Sequence, residues 1–202
     1  MLVIVDTGVA NRYSIKNAFE FIGHDAKLSS DLEDIKQASR LVFPGVGSFS
    51  HGMESLRRKG IVETLNEEVV LKKKPVLGIC LGMQMFAEKS EEGGDAQGLG
   101  WIPGVVRRIS PKDPACKIPH IGFNTLIMKN KHALFDGLLD ASDFYFVHGY
   151  YFDCPDEYVL ATVDHGGEIT SVVGKDNIVG CQFHPEKSQR TGLSLLANFL
   201  KI

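Results

Sequence analysis

The 202-residue chain has no long apolar run, no large excess of either charge and no paired cysteines. A helix that crosses a bilayer needs ~20 apolar residues in succession, and no stretch approaches that, which excludes a helical membrane span. The opening MLVIVDTG has neither a basic n-region nor a cleavage site, so a buried strand is expected there rather than a secretion signal. A net charge of −3 lacks the basic excess of a general nucleic-acid binder. The short runs RRK (57–59) and KKK (72–74) fit helix C-termini, where positive charge meets the negative end of the helix dipole. Cys80, Cys116, Cys154 and Cys181 form no CxxC pair and no metal-ligand spacing. Neither disulfides nor a metal site is expected, and a reducing, cytoplasmic setting fits.

With 44% hydrophobic residues, the chain can bury one sizeable core, read as a single domain over 1–202. The first half alternates buried strands, LVIVD (2–6), RLVFPGVG (40–47) and VLGI after Pro75, with helical pattern over Ile15–Ile22 and 49–74. Such alternation predicts a largely parallel sheet flanked by helices. The second half carries closely spaced strands, GVVRRI (104–109), YFVHGYYF (145–152), YVLATV (158–163), ITSVV (169–173) and IVGCQF (178–183), with GKDN (174–177) as a hairpin turn. A helix over about 189–201 closes the chain. The expected class is α/β with an antiparallel elaboration.

Cys80 stands where an apolar strand stops, between Gly78 and Gly82 in VLGICLG, and MQMFAEK after it has a helical pattern. This is the cysteine form of a Gly-x-nucleophile-x-Gly elbow. Small flanking residues allow a sharp strand-to-helix turn, which lifts the sulfur out of the sheet and aims backbone N–H groups and the helix dipole at it. A buried packing cysteine has no need of both glycines.

A reactive cysteine requires a base, and CQFHPEKS (181–188) supplies one. Pro185 biases His184 towards extended backbone, where residues i and i+2 share a face, so Glu186 is expected to orient the imidazole and leave one ring nitrogen for Cys80. Alone, His-Pro-Glu reads more readily as an exposed strand end. With Cys80 it completes a nucleophile, a base and an orienter. Attack on a carbonyl also creates an oxyanion. The glycine-rich loop FPGVGSF (43–49) and the N–H of Leu81 are the two expected donors.

In this order and spacing, PGVG, GICLGMQ and HPEKS resemble class I (triad) glutamine amidotransferases. PHIGFN (119–124), YFVHGY (145–150) and the lysine after Glu186 narrow the resemblance to the glutaminase subunits of imidazole glycerol phosphate synthases, over essentially the whole chain. That resemblance implies hydrolysis of L-glutamine to glutamate and ammonia through a Cys80 γ-glutamyl thioester, with His184 and Glu186 completing the triad and no cofactor. It also implies that Gly47, Gln84, Glu92, Tyr145 and His148 line the glutamine pocket and that the Val46 peptide joins the oxyanion hole.

Ammonia becomes non-nucleophilic ammonium in water, so it must cross directly to an acceptor, and the chain shows no recognisable acceptor-binding domain. The resemblance implies a (β/α)8-barrel cyclase subunit, which makes imidazole glycerol phosphate and an aminoimidazole carboxamide ribonucleotide in histidine biosynthesis. Asn11, Phe123 and Lys187 match its docking positions. Ala10 stands where the family usually has glycine and Phe123 where it usually has tryptophan, both on the side expected to face the partner. A second reading is therefore a paralogue supplying ammonia to a synthase of an amidated surface sugar. A silent regulatory subunit would have no need of an intact triad, and a free-standing hydrolase would be active without a partner.

Overall fold

In the computed structural model, residues 1–8 and 12–202 are described, so Ala10 and the expected docking residue Asn11 lie outside the described residues. The first half runs β1 (Leu2–Val5), α1 (Arg12–Phe21), β2 (Ala26–Ser29), α2 (Leu32–Gln37), β3 (Arg40–Gly45), α3 (Phe49–Arg58), α4 (Val62–Leu65), β4 (Val76–Cys80) and α5 (Leu81–Gln84). Next come β5 (Lys89–Ser90), β6 (Ala96–Gln97), β7 (Val105–Arg108), β8 (His120–Thr125), β9 (Ile127–Met128), β10 (Asp143–His148) and β11 (Tyr150–Asp153). β12 (Val159–Asp164), β13 (Glu168–Lys175), β14 (Ile178–Cys181) and α6 (Gln189–Phe199) complete the chain.

The central sheet has the order β2-β1-β3-β4-β14-β13-β12-β9. Its pairs from β2 to β14 are parallel and the later ones antiparallel. β1, β4 and β14 are buried along their whole length, as their unbroken apolar runs predict for strands covered on both faces. One hydrophobic cluster, with Phe19, Phe146, Phe183 and Phe199, packs on one side of the sheet. Phe43, Phe49, Phe86 and Trp101 anchor the cluster on the other. Among the described residues, no helix is long and apolar enough to cross a membrane.

Three expectations need correction. The helical pattern over 49–74 is interrupted at Gly60, whose φ of +65° ends the first helix, and α4 runs on into a π-helical turn at Asn66–Leu71. The helix expected after Cys80 is a single turn, because Met85 and Phe86 bend the chain so that Phe86 stacks on Trp101, ring centroids 5.0 Å apart. The stretch 145–152 is two strands in two sheets: β10 pairs with β8, and after Gly149 the chain pairs as β11 with β7. The GKDN turn is a hairpin, β13 pairing with β14 through Lys175 and Ile178.

The carboxyl ends of β3, β4 and β14 lie side by side, Gly45 opposite Cys80 and Cys181 opposite Ile79. In parallel sheets this edge is where ligands bind. The turn after β4 fits only because glycine is present: a Cβ on Gly82 would sit 1.7 Å from the Phe43 carbonyl oxygen, and one on Gly78 2.7 Å from the Met83 nitrogen. Gly82→Ala is expected to destabilise by about 3 kcal/mol or more, lowering Tm by roughly 6–12 °C in thermal unfolding. Gly94→Ala, where φ is +88° and no atom lies within 4 Å, costs only backbone strain of about 1 kcal/mol.

Candidate active site

Cys80 takes φ +54° and ψ −113°, a conformation that side chains other than glycine rarely adopt. Such strain costs on the order of 1–3 kcal/mol and persists only where the surroundings enforce it. Here the close packing of Gly78 and Gly82 enforces it. The sulfur faces a cavity of about 450 Å³ lined by Val46, Gly47, Leu81, Gln84, Glu92 and His184, with Pro119 and the 147–150 segment closing the other side. Sequence reasoning missed Pro119, Val147, Gly149 and Tyr150, which the residue before β8, the end of β10 and the start of β11 bring to the cavity.

His184 enters from beyond the end of β14 and is clamped through its backbone. Its N–H donates to the Tyr145 carbonyl (2.9 Å), and its carbonyl accepts from Ser188 Oγ (2.7 Å). Ser188 Oγ in turn accepts from Tyr145 N–H (2.9 Å). His184 Nδ1 lies 2.9 Å from Glu186 Oε1, and both side chains are almost fully buried. A carboxylate only accepts, so Nδ1 carries a proton toward Glu186, and Nε2 is the ring nitrogen left to exchange a proton with Cys80. Nε2 is buried without a hydrogen-bond partner. The His184–Glu186 contact does not come from strand alternation, as the sequence suggested. His184 is extended, but Pro185–Lys187 form a 3-10 turn that folds Glu186 back under the ring.

Burial by itself pushes the His184 imidazolium pKa down. The Cys80 sulfur and the Glu186 carboxylate outweigh it and raise the value to about 10. The upward direction rests on the Cys80 sulfur beside the ring and on the Glu186 carboxylate at Nδ1, which both favour the imidazolium. The pair can exchange a proton inside the site, and that is what a nucleophile with its base must do.

The other expected pocket residues divide by geometry. Gly47, in the left-handed region at φ +97°, and the half-exposed Val46 bring the β3–α3 loop to the cavity opposite Leu81. Glu92 Oε2 accepts from Phe49 N–H at 2.7 Å, tying the start of α3 and the loop before it to the pocket wall. Gln84 lines the cavity, but its Nε2 already donates to the Tyr150 carbonyl and to Gln182 Oε1, both at 2.9 Å. Tyr145 does not line the cavity. It lies edge-on to Phe123 (5.5 Å) with Lys187 Nζ 5.7 Å above its ring, so the expected docking residues Phe123 and Lys187 meet around it. Phe123 and Ile121 are each more than half exposed on β8. A separate depression of about 580 Å³ lined by Lys129, Lys131, His132 and Asp136 contains no nucleophile–base pair.

His148 lines the cavity and belongs to a polar chain. Its Nδ1 lies 2.8 Å from the Tyr150 carbonyl, its Nε2 3.1 Å from His120 Nδ1, and His120 Nε2 3.2 Å from Asn124 Nδ2. The carbonyl can only accept, so each ring is a neutral imidazole donating from Nδ1. Burial holds both rings neutral, pushing His120 down to about 4, with help from His165, and His148 down to about 3.

A profile of the family "Glutamine amidotransferase class-I" matches residues 3–202. The chain is 48% identical to "Imidazole glycerol phosphate synthase subunit HisH 2" of Vibrio vulnificus, over 98% of this chain and 93% of that protein. It is 44% identical to "Imidazole glycerol phosphate synthase subunit HisH 1" of Campylobacter jejuni over the full length of both. Among solved structures, one described as a glutamine amidotransferase superposes with a TM-score of 0.77 at 21% identity, covering 98% of this chain and 97% of that one. PurLQS from Thermotoga maritima gives 0.74 at 17%, covering 99% and 97%. At such identities the structures establish the fold alone.

Both histidines have pKa values below the unfolded value near 6.5, so the unfolded chain takes up their protons first. Their contribution to stability is therefore present above pH ~6.5 and lost as pH falls towards ~4. Tm measured across that range should fall on acidification, and His120→Gln should flatten the fall. An unchanged slope in that variant would show that His120 is not held neutral.

Proposed function

The chain belongs to the class I glutamine amidotransferases, and from that premise we propose that it is the glutaminase subunit of an imidazole glycerol phosphate synthase, hydrolysing L-glutamine at Cys80. The observation that carries the reading is the cavity where a strained Cys80 faces His184, whose other ring nitrogen is held by Glu186. Full-length similarity to proteins named as that subunit supports the pathway.

In the reaction, His184 Nε2 takes the Cys80 proton as Sγ attacks the carboxamide carbon. The S–C bond forms and negative charge moves to the amide oxygen, which the Leu81 N–H and the Val46–Gly47 peptide face. His184 returns the proton to the amide nitrogen, the C–N bond breaks, ammonia leaves and the γ-glutamyl thioester remains. Water, deprotonated by His184, then attacks the thioester carbon, the S–C bond breaks to release glutamate, and His184 returns the proton to Cys80 Sγ. Glu186 stays ionised and stabilises each imidazolium. Gln84, Glu92 and His148 hold the glutamine, and the Tyr145 backbone holds His184.

The acceptor is a (β/α)8-barrel cyclase subunit docked over Phe123, Lys187 and Asn11. The exposed Phe123 and Ile121 on β8, beside the cavity residues Pro119 and His148, supply the apolar surface for it. Phe123 stands where tryptophan is usual in the family, and it favours as second reading a paralogue delivering ammonia to a synthase of an amidated surface sugar.

Glutamate release should be low for the protein alone and with a histidine-pathway cyclase subunit, and rise strongly only when that subunit also holds its ribonucleotide ligand. Flat traces throughout would favour the second partner, and high activity without any partner would overturn the subunit reading. Cys80→Ala should cut glutamine hydrolysis on the order of 10⁴-fold or more while leaving assembly intact. Phe123→Ala and Lys187→Ala should weaken assembly in a titration against the cyclase without changing Cys80 alkylation in the isolated chain.

A further inference from the structure

Gln182 is fully buried, lies outside the triad, and reaches the nucleophile: its Nε2 is 3.6 Å from Cys80 Sγ. Which end of its amide faces the sulfur is fixed by a relay. The Tyr150 carbonyl can only accept, so Gln84 must present its NH2 group there, at 2.9 Å. The same NH2 meets Gln182 at 2.9 Å, so Gln182 must present its oxygen to Gln84 and its own NH2 to the sulfur. The backbone of Gln182 is pinned as well, its N–H donating to the Ser171 carbonyl at 2.8 Å.

We propose that Gln182 is a catalytic residue, whose Nε2–H bond to Cys80 Sγ steers the thiol proton to His184 Nε2 and stabilises the sulfur anion before attack. An S–H cannot point at an N–H donor, and in the neutral ring His184 Nε2, buried and without another hydrogen-bond partner, is the acceptor left for it. The proton passes to that nitrogen, and the S–H electron pair stays on sulfur, where the Gln182 donor meets it. Gln84 is a positioning residue in this arrangement. Both of its N–H groups are spent on the relay, so only its oxygen remains for a ligand. The inference rests on Cys80 being the nucleophile.

The test is the pH dependence of Cys80 alkylation by iodoacetamide, read by peptide mass spectrometry so that Cys116 and Cys154 do not contribute, from about pH 5 to about pH 10. Gln182→Met and Gln182→Leu keep the volume and remove the donor. Each is expected to move the midpoint upward and slow alkylation near pH 7 roughly ten- to a hundredfold, the range of a hydrogen bond to a charged group. Gln182→Glu, an acceptor of like charge, should move it further. In the partner-bound enzyme kcat should fall with little change in KM. A purely structural role would lower Tm and leave the midpoint in place. Should neither substitution at Gln182 fold, Gln84→Leu, which frees the Gln182 amide to turn, is expected to move the midpoint in the same direction. Folded variants that alkylate on the wild-type curve would overturn the role of Gln182 alone. A wild-type Cys80 that does not react at any pH would overturn the nucleophile assignment with it.

Discussion

The backbone at Cys80 is the constraint on which the site is built. A residue with a side chain is held at φ +54° because the one-turn helix after it packs directly against β3, with the Phe43 carbonyl where a Cβ on residue 82 would be. Gly45 is part of the same contact, since a Cβ there would lie 2.8 Å from Leu81 Cβ. Backbone packed this tightly cannot relax to relieve the cysteine. The strain is carried by the buried interface of β3, β4 and α5, and its consequence is a buried cysteine that still reaches the cavity wall.

A single carbonyl then sets the polarity of the groups around that sulfur. Tyr150 O accepts from both Gln84 Nε2 and His148 Nδ1. From it one chain of donors runs through Gln84 and Gln182 to Cys80, and a second runs through His148 and His120 to Asn124. Side-chain amides and neutral imidazoles can each face either way, and a fixed acceptor at the head of both chains removes that freedom. Low local dielectric makes the wrong orientation costly, because it leaves a buried polar group unpaired.

The paired strands β8 and β10 that carry His148 to the cavity and His120 behind it also carry Ile121 and Phe123 outward, because alternate residues on β8 face opposite ways. Lys187 and Tyr145 join that outer face, while the Tyr145 carbonyl holds His184. Outer face and His184 are thus one residue apart. A protein bound at Phe123 and Tyr145 would press on the strand that positions His184, which gives a physical route by which docking and chemistry can be coupled.

Much of this was legible in the chain itself. Unbroken apolar runs separated by helical pattern specify a covered parallel sheet whatever the details, since burial on both faces permits no alternation. Glycines on either side of a cysteine specify an elbow because no other residue fits. Gln182 was equally within reach, two residues before His184 in the same motif, although only the fold shows that it meets Cys80. Three features were decided only by tertiary structure: the turn that brings Glu186 under His184, the split of 145–152 between two sheets, and the direction of each amide. Local sequence fixes backbone preference and burial, but these outcomes depend on partners about 30 to more than 100 residues away in the chain, such as Tyr145 for His184 and Cys80 for Gln182. Only the folded chain brings those partners together.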